Sequence, residues 1–179
     1  MKDGLLWVGS MGRPYVDEHG TALHRNSEWV KTVDENGRIE NHDWGSVYET
    51  LRSAAGVSGG GYLWHEGVHW DNEYRRWVFL PRKRSLTLPY SEKADETRGT
   101  NIVVIAAEDF SEVTVVEGVG PAENKYGFST VRKVPGSSDV FMAVKVKEIG
   151  EDVHSVSWCF SVIRGVTPGA LLSCRYYMT

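Results

Sequence analysis

Apolar and polar positions alternate in short runs along most of the chain, each run rich in Val, Ile, Tyr, Phe or Trp and closed by Gly, Asn, Asp or Pro. This period of two predicts strands near Leu5 to Gly9, Glu28 to Val33, Tyr62 to Glu66, Gly67 to Trp70, Tyr74 to Leu80 and Asn101 to Ala107. It continues near Glu112 to Val116, Phe128 to Val134, Val140 to Lys147, Val153 to Ile163 and Leu171 to Tyr177. Asn36-Gly37, between Trp29-Val30-Lys31-Thr32-Val33 and Ile39, marks a tight hairpin because both residue types tolerate positive φ. Asp71-Asn72-Glu73 marks a second, longer hairpin loop.

The period changes only once. From Asp43 to Ala55 the apolar residues Trp44, Val47, Tyr48, Leu51 and Ala55 fall on one face of a helix, which predicts a single amphipathic helix packed on a sheet. Asn41 or Asp43 can cap its start, and Gly56 can end it in a left-handed conformation. From Lys83 to Gly99 the chain is polar and charged with no clear period, so a long loop is expected there, a place where function concentrates.

Many short strands and one helix give an all-β class, and periodicity alone leaves a sandwich, a barrel or a propeller open. A faint internal repeat favours the last. Tyr62 to Leu80 and Gly127 to Lys147 share one plan: a glycine at the strand start, then a polar residue, Glu66 or Ser129, then a hairpin-linked apolar strand. Seven tryptophans in such a chain are expected to pack between sheets rather than to hold a ligand.

Composition narrows the function classes. A formal charge of -4 argues against a general binder of nucleic acid polymers, which needs a positive field. No run has the length of apolar sequence that a membrane helix requires. Cys159 and Cys174 make no metal-ligand spacing; buried thiols or a disulfide between neighbouring strands both remain open. The sequence has no P-loop, no zinc spacing and no serine-hydrolase elbow.

The chemistry concentrates around Gly61-Tyr62-Leu63-Trp64-His65-Glu66-Gly67 and Leu80-Pro81-Arg82-Lys83-Arg84. One carboxylate at the end of an apolar strand, with cations one hairpin later, suits a hard cation and a phosphate. Arg82 follows a stiffening proline and offers a bidentate donor; Lys83 and Arg84 are expected to be ordinary surface charges. His65 points to the opposite strand face from Glu66, so packing with a hydrogen bond is expected of it rather than general-base work. His69 and Trp70 suggest a histidine-aromatic core cluster.

Four ordered motifs carry a resemblance. Gly61-Tyr62-Leu63-Trp64-His65-Glu66, Arg76-Trp77-Val78-Phe79-Leu80-Pro81-Arg82, Tyr90-Ser91-Glu92-Lys93 with Asp95-Glu96, and Gly127-Phe128-Ser129 occur in an order and spacing similar to the calcium-activated nucleotidase, or apyrase, family. Glu28-Trp29-Val30-Lys31 and the helix from Trp44 through Gly56 match as well. The resemblance implies a five-bladed β-propeller of four-stranded antiparallel blades. It implies one calcium ion in the central channel and hydrolysis of nucleoside di- and triphosphates, GDP and UDP among them, with release of phosphate. Carried over by motif, Glu66 is a calcium ligand and catalytic residue, Ser129 a second calcium ligand and Glu92 a substrate-binding residue of the rim, while Arg82 binds a nucleotide phosphate or else supports the site by pairing with an acid.

The departures from the family pattern also set expectations. The family's Gly-Lys-Glu-Trp segment appears as Gly12-Arg13-Pro14-Tyr15, and one of two adjacent acids becomes Ala94. The expectation is a partial propeller domain over residues 1–179, about three blades with one inserted helix, lacking the N-terminal blades and the last acidic motif. Its calcium ring would then be incomplete and its own turnover weak or absent. A non-catalytic propeller that binds a protein or a nucleotide is the alternative, and open blade edges could pair with a second copy. By resemblance the parent works in the endoplasmic reticulum, the Golgi or outside the cell, with its targeting segment outside this chain.

Overall fold

The computed structural model describes residues 1–17, 19–119, 123–149, 152–161 and 174–177. In chain order the elements are β1 (Leu6–Val8), β2 (Tyr15–Val16), β3 (Ala22–His24), β4 (Trp29–Val33), β5 (Ile39–Asp43), α1 (Gly45–Ala54), β6 (Tyr62–Asp71) and β7 (Arg76–Ser85). They continue with α2 (Glu92–Asp95), β8 (Val103–Ala107), β9 (Val113–Val116), β10 (Gly127–Lys133), β11 (Val140–Ile149), β12 (Asp152–Ser161) and β13 (Cys174–Tyr177). The class is all-β. Two four-stranded antiparallel sheets, β6-β7-β8-β9 and β10-β11-β12-β13, follow a three-stranded sheet, β1-β4-β5; β2 and β3 form a small ribbon.

Both expected hairpins form. Val33 pairs with Ile39 across the first, where Gly37 alone takes positive φ (+80°) and the Asp34 carboxylate accepts the N–H groups of Asn36 and Arg38. Asp71 pairs with Arg76 across the second, with Arg75 in the left-handed region. In α1 the Asp43 carboxylate accepts the Gly45 N–H at 2.8 Å, and Gly56 closes the helix at φ +71°.

The middle sheet is buried on both faces, which explains the unbroken apolar run Trp77-Val78-Phe79-Leu80. Trp77 and Phe79 face one core with Val30 of β4, Trp44, Tyr48 and Leu51; Val78 and Leu80 face a second core with Phe128, Val131, Phe141 and Ala143 of the following sheet. Trp44, Trp70 and Trp77 fill the first core, as packing residues.

Several boundaries differ from the expected ones. Tyr62 to Asp71 is one strand, not two, because a bulge lets it bend without ending. β7 runs on to Ser85, so Arg82, Lys83 and Arg84 belong to a strand rather than a loop. β5, β2 and β3 were not marked by alternation, and the loop after β7 contains the short helix α2. Of the last two expected strands, residues 162–173 lie outside the described residues; Cys159 and Cys174 are register partners on β12 and β13.

Candidate active site

Glu66 sits in the β6 bulge. His65 pairs with Pro81 and Gly67 with Leu80, so Glu66 has no register partner, and the ladder is interrupted around it. Ser129 holds the equivalent position on β10, where Phe128 pairs with Lys145, Thr130 with Val144, and Ser129 is the extra residue. An extra residue in a strand re-aims its side chain away from the regular pleat, a device found beside reacting sites. Two polar residues predicted to share an ion are thus the two bulge residues of strands that pack on each other.

Glycines allow that approach. A Cβ on Gly67 would meet the Thr130 backbone at 3.3 Å, and one on Gly127 would lie 2.3 Å from the Arg82 carbonyl oxygen. β6, β7 and β10 therefore converge where Glu66, Arg82 and Ser129 stand. Gly127→Ala is expected to push β10 from Arg82 and cost about 1–3 kcal/mol by overpacking. A lowered urea midpoint with an unchanged slope would show this; an unshifted midpoint would refute the tight packing.

Arg82 donates from Nη1 to the Glu66 Oε2 at 3.0 Å. Its side chain is 9% exposed while that of Glu66 keeps 31%, so the carboxylate reaches solvent and the guanidinium is mostly enclosed. Held between strands, Arg82 can present its planar donors in one orientation, which favours phosphate oxygens. Glu66 and Ser129 offer only oxygen, the donor type a hard cation selects. Among the described residues no group of three or more His, Cys, Asp or Glu side chains converges. Calcium takes about six to eight oxygens. The two residues therefore fit calcium as part of a shell.

The sequence model of the apyrase family matches residues 1–167. The chain belongs to the apyrase family. It is 39% identical over 149 residues to soluble calcium-activated nucleotidase 1 of Rattus norvegicus, covering 83% of this chain and 36% of the relative. It is 33% identical over 162 residues to the apyrase of Cimex lectularius, covering 90% and 44%, and 37% identical over 165 residues to apyrase apy-1 of Caenorhabditis elegans, covering 90% and 46%. The chain thus spans less than half the length of these curated relatives.

Other residues of this apyrase-family chain fall differently from their sequence reading. Lys83 is no surface charge: it is buried and donates to the Asp95 carbonyl at 2.6 Å. Asp95 also accepts from the Tyr62 hydroxyl, so Asp95, not Glu92, ties α2 to β6; Glu92 is exposed on the first turn of α2. Arg84 pairs with Glu117 at 2.7 Å and fits the surface reading better. His65 is buried against Tyr48 and Phe79, and neither ring nitrogen has a hydrogen-bond partner, contrary to the expected bond. Burial pushes its pKa down to about 3, so it stays neutral and is no general base. His69 packs on Phe141, in keeping with an aromatic cluster.

Sequence reasoning gave no role to Glu28, which is 1% exposed. It accepts from Arg25 and from both Nη atoms of Arg52, the latter at 3.1 Å, while Arg52 also donates to the Gly12 carbonyl at 3.0 Å. The Met11 carbonyl in turn accepts the His65 N–H at 2.9 Å. This buried network fixes the loop before β2 against the strand that carries Glu66. Its sequence signals were a carboxylate directly before an apolar strand and the family-like segment Glu28-Trp29-Val30-Lys31.

Proposed function

We propose that the parent of this chain is a calcium-dependent nucleotidase that hydrolyses nucleoside di- and triphosphates, with GDP and UDP as substrates, and releases phosphate. The observation that supports the reading is that Glu66 and Ser129 are bulge residues of strands packed on each other, with the enclosed guanidinium of Arg82 paired to Glu66. The names of the relatives, apyrase and calcium-activated nucleotidase, agree with it.

Glu66 and Ser129 would contribute oxygens to a calcium ion, with the remaining ligands supplied by other parts of the full-length protein. Bound there, calcium supplies charge neutralisation for phosphate oxygens and a site for water. Arg82 would orient a phosphate through paired N–H donors, and the Glu66 carboxylate holds that guanidinium in place. Glu92 would serve the rim, on the loop that Asp95 anchors. The two four-stranded sheets and the three-stranded one would be about three successive blades of a five-bladed propeller, with β6 and β10 on the channel. The secretory pathway or the cell exterior, where calcium is plentiful, is the corresponding location.

Phosphate release from GDP tests the reading. With the full-length protein, release is expected in calcium, little in magnesium alone and none in chelator, while the 179-residue chain turns over weakly or not at all. Calcium-independent release, or none from the full-length protein, would overturn it.

A further inference from the structure

Arg13, in the loop between β1 and β2, is 5% exposed and is surrounded by aromatic rings. Its guanidinium carbon lies 3.9 Å from the centre of the Tyr90 ring, 4.9 Å from that of Trp64 and 5.6 Å from that of Tyr62. Nη1 donates to the Pro14 carbonyl at 2.9 Å, but Nε is buried with no hydrogen-bond partner. Among the described residues no carboxylate forms an ion pair with it, and Asp95, the acid whose charge it feels, is engaged by Tyr62. Rings stabilise a cation through its faces and leave its N–H edge unserved. A buried cation with an unserved edge is costly unless an anion completes it.

A cavity of about 240 Å³ lies beside this group, lined by Arg13, Tyr62, Tyr90, the glycines 59–61 and the Arg52–Glu49 pair, whose charges offset each other at 2.9 Å. Gly61 has to be bare, since a Cβ there would lie 2.4 Å from the Leu86 carbonyl oxygen. The volume is below the roughly 300 Å³ at which pockets for drug-sized ligands begin, and suits one or two phosphate groups rather than a whole nucleotide. Trp64, on which Arg13 stacks, precedes Glu66 by two positions on β6, about 6–7 Å of strand. Arg13 and Arg82 are thus two enclosed guanidiniums, one stacked on the Trp64 ring of β6 and the other on β7, paired with Glu66.

We propose that Arg13 is a second oxyanion-binding cation, taking a phosphate group of a polyphosphate in the cavity beside it. The inference rests on the nucleotidase reading for its ligand class. A neutral acceptor, such as the carbonyl edge of a base, would satisfy the Nε–H and leave the buried charge uncompensated. An oxyanion answers both.

Pyrophosphate is the probe. Added to the 179-residue chain, it is expected to shift the Arg13 Nε–Hε resonance saturably in ¹⁵N NMR. In calorimetry Arg13→Gln is expected to weaken pyrophosphate binding at least tenfold, and Arg13→Lys to keep part of it. A resonance that pyrophosphate leaves in place overturns the proposal, and this readout stands even where Arg13→Gln fails to fold. So does unchanged affinity in a folded Arg13→Gln, or a shift caused by guanosine and not by pyrophosphate. A full-length protein that binds pyrophosphate through Arg13 yet releases no phosphate from GDP sinks the nucleotidase reading alone; calcium-dependent release with a silent Arg13 resonance sinks this inference alone.

Discussion

Glu66→Gln in the full-length protein is expected to lower kcat/KM for GDP on the order of 10²-fold or more, the scale at which one precisely aimed polar group in a reacting site is felt. The amide can still accept from Arg82, so the guanidinium keeps its place; what is lost is the negative charge that a hard cation selects. The same variant is expected to need more calcium for half-maximal activity. Its fold should survive, because the Glu66 side chain is 31% exposed and makes its pair at the edge of solvent. Activity and calcium titration are read together with a thermal melt. Unaltered activity at every calcium concentration would remove Glu66 from the site.

Asp71→Ala is expected to be the most destabilising single change among the ion pairs, by about 3–5 kcal/mol, because it strands cations that were paired in the interior. The Asp71 side chain is 0% exposed and accepts from Arg76 at 3.1 Å and from Lys133 at 2.7 Å, joining the β6–β7 hairpin to β10 of the next sheet. Lys133 also pairs with the exposed Glu73 at 2.9 Å, which softens the loss and favours the lower end of the range. Burial alone would raise the Asp71 pKa; the hydrogen bonds from Lys133 and Arg76 outweigh it and hold the carboxyl below its ordinary value. A carboxyl with a depressed pKa in the folded state contributes stability above its unfolded pKa, near 3.9. That contribution is lost as pH falls from there through the lowered folded value. Denaturant unfolding of the wild type and Asp71→Ala at neutral pH and in acid checks both claims: the gap between them should narrow in acid, and a neutral-pH loss below about 1 kcal/mol would refute the bridging role.

The two hairpins, the helix and most strands were legible because each is encoded locally: Gly37 at a turn, Asp43 and Gly56 at the helix ends, alternation along β8 and β9. Arg82 and Glu66 were legible as neighbours because a hairpin brings nearby sequence together, but their ion pair appears only in the structure. Lys83 was misread for the same locality. A cation among cations reads as surface, and only the distant Asp95 carbonyl explains its burial. The pairing of Glu28 was not legible because its partner Arg52 comes from the far end of a helix. His65 was expected to find a hydrogen bond, and the close packing of Tyr48 and Phe79 left it none.

By itself the sequence determined the all-β class, the antiparallel hairpins, the single long helix, the family resemblance and the residue types of the site. These follow from side-chain periodicity, turn chemistry and ordered motifs, which act over a few residues or are written directly in the chain. Only the tertiary structure decided that Glu66 and Ser129 are bulge residues on packed strands, that Arg82 is enclosed, and that Arg13 is caged by three rings. Register and sheet-to-sheet packing depend on contacts between residues far apart in the chain, and a one-residue slip turns a side chain from a core to the opposite face without changing a letter of the sequence.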